Sequence, residues 1–441
     1  MRFRRISAFC LLLSAFCLPA LALDWNSPDA VVKAAIDVNP SLAALSAQIR
    51  EAQERVVPAG SLPNPMLMSG IQNKPIDLSH DFMTMYMIGA SQTIVRKSRR
   101  DALRRSAELD VERLQSQYES RRAEVERDVR SAYIEAATAQ NQIAATDDIA
   151  RLLKTVRESS RIRYETGAVP QADMIRAMLE ENNVEHQLIA LRRRRNMAVA
   201  RLLPLLDLPP NTPVPPFSLK HEMEHHHESG FEATLSDMTA AIVELQADVA
   251  RAEEDVRLAK LAAKPDFNIE ASYGARTGNR DMFSLVGRVE LPIRKSTIIE
   301  PRIREAMARR EVAQRQIEAL RQHLQQDLGV AVTLRNEAIE QIDLHVDKLV
   351  PAAKLGFESA LSSYQTGKTT FDAVLDSLRT YLALNVDYYD FLRQQSEAEV
   401  DIEAIRRGAR GGASGGMTNA PMTNGPMSPA ASAAGSMQQM R

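Results

Sequence analysis

Cysteine is nearly missing from this chain. Cys10 and Cys17 are the whole complement, and both sit in an N-terminal stretch where Arg2, Arg4 and Arg5 precede an apolar run from Ile6 to Leu18, closed by Ala20-Leu21-Ala22. That layout is a secretory signal peptide, with cleavage expected after Ala22. Export would remove both thiols, and with them any disulfide, cysteine metal site or cysteine nucleophile. Cys17 follows Phe16 rather than a small residue, so lipid attachment is not expected.

A surplus of basic charge is also missing. Lys and Arg number 55 against 57 Asp and Glu, and losing three leader arginines and no acids leaves 52 − 57 = −5. No basic field is available to attract nucleic acid. Arg192 to Arg195 place four basic residues together, which on a helix read as a solvated face. After the leader no segment approaches the roughly 18 to 20 apolar residues that a membrane helix needs, so any membrane span must be made of strands. There is no Walker A sequence, no G-x-G-x-x-G after a strand and no G-x-S-x-G elbow. An enzyme is not expected, nor a cofactor, and any energy must come from partners.

What is present is a duplication. Tyr164-Glu165-Thr166-Gly167, followed by Pro170 and Asp173, returns as Tyr364-Gln365-Thr366-Gly367, followed by Asp372 and Asp376. Glycine after a long helical run marks a left-handed C-cap, and a proline just beyond it suits the first turn of a new helix. Both stretches predict helix-turn-helix tips. Upstream, Ala52, Glu54 and Val56 correspond to Ala252, Glu254 and Val256, and Pro63 to Pro265. The repeat unit is roughly two hundred residues long, a tandem duplication.

Within each unit the elements follow one order. A short helix from Asp29, broken at Pro40, runs on to about Val57, and its counterpart begins near Ser236. Helices without internal glycine or proline run from about Arg96 to Tyr164, roughly 100 Å at 1.5 Å per residue. A similar rod spans Pro301 to Tyr364, with a kink expected at Pro351. Leu103, Ala107, Leu114, Tyr118, Val125, Val129 and Ala136 recur at a spacing that keeps helices nearly straight. Return helices are expected from Ala172 to Leu203 and from Phe371 to Arg406.

Between helices lie two hairpins, with strands over about 66–72 and 82–93, and 267–273 and 283–291. Phe267, Ile269, Ala271 and Tyr273 alternate with Asn268, Glu270 and Ser272, as they would with lipid on one face and water on the other. Four strands cannot close a barrel, and an open edge in lipid leaves backbone groups unpaired at several kcal/mol each. Three copies would supply twelve strands, so a homotrimer is the simplest closure.

The expected architecture is mainly α with a small β part: duplicated long helical hairpins plus four membrane strands per chain. Its boundaries are a leader at 1–22, a first repeat at 23–203, a connector at 204–235, a second repeat at 236–407 and a tail at 408–441. The tail is glycine, alanine, serine, proline and five methionines without periodicity, and is expected to be disordered.

These features together resemble the TolC-type outer membrane efflux proteins: the leader, the duplicated units, "NPSL" in the first helix, "LPNP" before the first strand, "YETG" with Asp173 and "YQTG" with Asp376. The resemblance covers about Asp24 to Arg407. It implies a trimer with a twelve-stranded barrel in the outer membrane, continued by a helical tunnel, the α-barrel, across the periplasm. Such a duct docks through a periplasmic adaptor to an inner-membrane resistance-nodulation-division pump. Tyr164, Gly167, Asp173, Tyr364, Gly367, Asp372 and Asp376 then fall at the periplasmic entrance, where the adaptor meets the tips. Asp372 is one position early, Ala373 stands where an acid would be, and Thr369 stands where an arginine gate partner would be, so the resemblance does not supply an arginine latch. Acids near a helix start are also favoured for local reasons.

"LPNPMLMSGIQNKPID" and "DFMTMYMIGASQ" resemble the heavy-metal branch, whose pumps carry copper and silver or cobalt, zinc and cadmium; drugs or other small organic molecules are the alternative cargo. Met66 and Met68 share a strand face, as do Met83, Met85 and Met87. Thioethers are soft ligands for copper(I) or silver(I), although methionine is also an adaptable packing residue. In the connector, His221-Glu222-Met223-Glu224-His225 formally matches the zinc-hydrolase H-E-x-x-H, with Glu244 as a distant third ligand. It follows a proline cluster and lacks a burying apolar face, so its context argues against a hydrolase. His221, His225, His226 and His227 remain candidates for loose metal binding, with a solvated loop of no further role as the alternative. A periplasmic adaptor or coiled-coil scaffold is the other class of protein with such helices; the first would show one hairpin rather than two, and the second would lack the strands.

Overall fold

The computed structural model describes residues 23–76, 81, 83–215, 217, 239–276 and 278–409. The leader, the histidine cluster and the tail beyond Ala409 lie outside these residues.

Helix α1 (Pro28–Val38) starts at Ser27, whose hydroxyl accepts from the Ala30 N–H at 3.4 Å. Asn39 then ends α1 and caps α2 (Pro40–Ala59), its Oδ1 accepting from Ser41 N at 2.9 Å and Leu42 N at 3.3 Å. Pro40 at the first helical position needs no N–H partner, which is why the break falls there. The spine of the fold is α3 (Lys97–Glu165), 69 residues in one helix. It packs against α2, against α4 (Gln171–Leu205), against α5 (Ala240–Leu261) and against α8 (Phe371–Arg407).

The second rod differs from its expected single kink. It is α6 (Glu300–Leu344), a π-helical turn at His345–Leu349, then α7 (Val350–Gln365). A second π turn at Lys295–Ile299 precedes α6. Each π turn ends one residue before a proline-bearing helix start, at Pro351 and Pro301 respectively. Proline brings no N–H to the ladder and crowds the carbonyl four residues back, so the backbone shifts to the wider register instead of bending sharply.

The buried seam of α3 also departs from the expected stripe in its first third. Val125, Val129 and Ala136 are buried, but Leu103 is 37% exposed while its neighbour Ala102 is fully covered. Small Ala102 takes the helix contact, and the larger leucine faces outward. At mid-length, Tyr133 stacks on Phe217 of the connector with ring centroids 4.5 Å apart and donates to the Trp25 carbonyl at 3.0 Å. The N-terminal segment and the connector are thereby pinned across the middle of the rod. Nearby, the basic cluster is not a simple solvated face. Arg194 is two-thirds covered and bridges Glu135 of α3 at 2.6 Å and Asp390 of α8 at 3.2 Å.

At the other end of the rods lies one antiparallel sheet in the order β1 (Met66–Gln72), β2 (Met85–Ile94), β3 (Phe267–Arg276), β4 (Met282–Val289). β2 begins three residues later than the alternation suggests because Asp81 forms a turn, accepting from Met83 N at 3.1 Å while its carbonyl takes Thr84 N at 3.0 Å. Met83 therefore stands before the strand and not on its face. Both hairpins lie in one sheet because β2 pairs with β3 along ten residues, from Met85↔Arg276 to Ile94↔Phe267. β1 and β4 remain as free edges.

Candidate functional site

Two regions collect the candidate residues: the paired tips and the sheet. At the tips, Gly167 and Gly367 have φ of +70° and +74°, the left-handed conformation that a β-carbon disfavours. Gly167 N donates to Tyr164 O at 2.9 Å and Ala168 N to Arg163 O at 2.8 Å; Gly367 and Lys368 repeat the pattern on Tyr364 and Ser363 at 3.0 and 2.8 Å. This double closure satisfies the last carbonyls of α3 and α7 and turns the chain back within a few residues.

The two tips are joined asymmetrically. Tyr364 is buried, lies against Phe371, and carries the Arg163 guanidinium over its ring at 4.7 Å. Arg163 also donates to the Tyr364 carbonyl. The Tyr364 hydroxyl reaches Asp173 Oδ2 at 3.4 Å and Ser160 Oγ at 3.5 Å, and burial pushes its pKa up. Tyr164, its counterpart by repeat, is 39% exposed. The duplication thus gives one buried and one outward tyrosine.

Asp173 and Asp372 lie in the first turns of α4 and α8, whose N-cap residues Pro170 and Thr370 make no side-chain cap bond. Asp372 meets Arg176 of α4, with both carboxylate oxygens 2.8 Å from Nη1. Asp376 is largely exposed and lies 3.7 Å from Arg379. Arg379 makes its closer contact with Glu180, through Nε at 3.0 Å and Nη2 at 2.6 Å. The Glu180 side chain is only 8% exposed, and the Arg379 hydrogen bonds hold its pKa below the usual carboxylate range. Thr369 supplies no arginine, and Arg176 and Arg379 tie α4 to α8. Sequence reasoning missed Arg163, Arg176, Glu180 and Arg379. Their partners lie about two hundred residues away, so only the repeat distance of the tips hinted at the pairing.

In the sheet, direct cross-strand partners share a face. One face collects Leu67, Ile71, Tyr86, Ile88, Ile94, Phe267, Ile269, Tyr273, Phe283, Leu285 and Val289, all exposed. The opposite face carries Ser91, Thr93, Asn268, Glu270, Ser272 and Arg288, with Glu270 and Arg288 paired at 2.7 Å. Met85 and Met87 belong to this polar face. A strand ribbon of this kind suits lipid on one side and water on the other. Among the described residues no His, Cys, Asp and Glu cluster could hold a metal, and no helix is long and apolar enough to cross a membrane. The four candidate histidines lie outside the described residues.

Comparison with known proteins agrees with this geometry. Residues 31–206 match the family described as outer membrane efflux protein. No curated protein sequence matches the chain. Among solved structures, the outer membrane protein VceC of Vibrio cholerae superposes with a TM-score of 0.73 at 16% identity, covering 87% of this chain and 96% of that one. CusC, a protein described as forming a transmembrane channel, gives 0.74 at 15% identity, covering 88% and 92%. The MtrE outer membrane channel of Neisseria gonorrhoeae gives 0.70 at 14%, covering 87% and 89%. CusC and MtrE are described as channels and VceC as an outer membrane protein. Through residues 31–206 the chain matches the outer membrane efflux protein family, and along most of its length it has the fold of the outer membrane channels.

Proposed function

We propose that this protein is the outer membrane channel of a tripartite efflux system, a passive homotrimeric exit duct that reaches from the outer membrane into the periplasm. The observation that carries this is the sheet: four strands, two free edges, and faces split into apolar and polar. Such an edge in lipid leaves backbone groups unpaired at several kcal/mol each, and three copies joined β4 to β1 remove every edge. The helices support the same assembly. Ile175, Met178, Leu179, Ile189 and Met197 are each about half exposed on α4, an apolar stripe that a neighbouring copy would cover.

The joined tips are the periplasmic entrance, with Tyr164, Gly167, Asp173, Tyr364, Gly367, Asp372 and Asp376 available to a periplasmic adaptor and, through it, an inner-membrane resistance-nodulation-division pump. The cargo we assign is heavy-metal cations, copper and silver or cobalt, zinc and cadmium. The resemblance of the first hairpin and the polar-face methionines favour it, with organic small molecules as the alternative. His221, His225, His226 and His227 would add loose metal binding in the connector, and Met83 a thioether at the hairpin turn. The test is to isolate the protein from outer membrane fractions and insert it in planar bilayers. Heat-modifiable trimers with stable conductance are expected, and a soluble periplasmic monomer would end the proposal. Loss of the gene should lower metal tolerance; a drop confined to drugs would reassign the cargo.

A further inference from the structure

The register of the sheet collects more methionine than either hairpin shows alone. The described strands contain Met66, Met68, Met85, Met87 and Met282, and all of them pair onto the face that holds Ser91, Asn268, Glu270, Ser272 and Arg288. None is on the face of leucine, isoleucine and aromatics, where methionine chosen for contact with lipid would stand. Each of three methionines is opposite a glycine: Met68 opposite Gly89, Met87 opposite both Gly70 and Gly274, Met282 opposite Gly274.

Gly274 is the centre of the densest group. Met87 and Met282 flank it on the two adjacent strands, about 10 Å apart across two strand spacings, and Gly274 itself puts no side chain between them. A β-carbon at Gly274 would lie 3.4 Å from Met85 Sδ and 3.8 Å from Met87 Cγ, so both β2 methionines lean over the same notch. Met85 and Met87 over the glycine, with Met282 on the next strand, form a soft donor set; the Asp281 carboxylate beside Met282 is engaged by the Arg276 N–H at 3.2 Å and by the Tyr273 hydroxyl. Glu270 is two rows away and engaged with Arg288. Thioether sulfur suits copper(I) and silver(I) and offers little to magnesium, calcium or zinc. Arg276, directly opposite Met85, adds a positive charge that weakens cation binding and keeps release easy, as a transit site requires. The notch lies at the hairpin-turn end of the sheet, away from the helices, and so at the exit.

We propose that Met85, Met87 and Met282 over Gly274 form a transit site for a soft monovalent cation on the water-facing side of the sheet; this refines the cargo and rests on the duct reading. A thioether takes up no proton at pH 5, so silver binding here persists where histidine sites are protonated and lost. The experiment is equilibrium dialysis of the detergent-purified full chain with silver nitrate in chloride-free buffer at pH 5. The triple variant Met85→Leu/Met87→Leu/Met282→Leu is compared with the native chain, every other methionine being common to both. The variant should lose about one silver per chain, counted against unchanged trimer on gels; coincident isotherms overturn the site. Should the triple variant fail to assemble, Gly274→Val fills the notch without removing a sulfur and should show the same loss, and an unchanged isotherm again overturns it. Conductance of the native protein in potassium nitrate is measured separately. Its absence would sink the duct but leave the dialysis result standing.

Discussion

Leu285→Arg should abolish the heat-modifiable trimer, whereas Ser284→Arg, one residue away, should leave it assembled with altered ion selectivity. Leu285 is 69% exposed on the apolar face beside Ala271, and Ser284 is partnered by Ser272 on the polar face. An arginine facing lipid near mid-bilayer costs about 2 to 4 kcal/mol in a barrel, and three copies multiply the penalty. On the water-filled side the same guanidinium is solvated and adds a ring of positive charge, which should lower cation preference in a bilayer recording. Equal assembly of both variants would show that the sheet does not face lipid as described, and would remove the argument for a barrel.

Arg379→Ala should loosen the tips and raise single-channel conductance, and the effect should exceed that of Asp376→Asn. Arg379 contacts both Glu180 and Asp376, but its close bidentate contact is with Glu180, while Asp376 is exposed at 3.7 Å. Removing the arginine leaves a nearly buried carboxylate on α4 with only the Asn183 amide at 3.4 Å and breaks a link to α8. The cost is about 1 to 3 kcal/mol for a charged group left without its partner, at the lower end because Arg379 itself is half exposed. Asp376→Asn removes only a screened contact, so its signature should be confined to block by divalent cations. Glu180 also sets the pH response. Its folded pKa is below the ordinary value of 4.5, so the link is complete above that value and is lost as pH falls through the depressed one. Conductance should therefore be flat from neutral pH to about 5 and rise only in stronger acid. A rise at higher pH would point instead to histidine or to Glu397 and Asp401 of α8, whose carboxyls burial pushes up.

The long elements were legible in the sequence because their signals are local. Asn39-Pro40 is a cap followed by a first-turn proline, and it divides α1 from α2 where capping chemistry says it should. Gly167 and Gly367 end helices because the left-handed closure demands glycine. The alternation from Phe267 to Tyr273 announced a two-faced strand before any partner was known. Where reading failed, the competing influence was distant. Asp81 held Met83 in a turn and shortened β2, and the seam of α3 ran through Ala102 because a neighbouring helix favoured the small residue over Leu103.

Sequence alone determined two hairpin tips, two strand pairs and rods too long for a compact core, since helix length, caps and alternation are written in neighbouring residues. Only the tertiary structure decided which distant groups meet. A β2–β3 register moved by one residue would have put the methionines of the first hairpin on the face opposite Met282, and the pairing of Met87 with Gly274 follows from backbone hydrogen bonds between strands almost two hundred residues apart in the chain, whereas Met282 meets Gly274 within a local hairpin. Likewise Arg176 reaches Asp372, and Arg379 reaches Glu180, because α4 and α8 both return along the spine from adjacent tips and present those side chains at the same height.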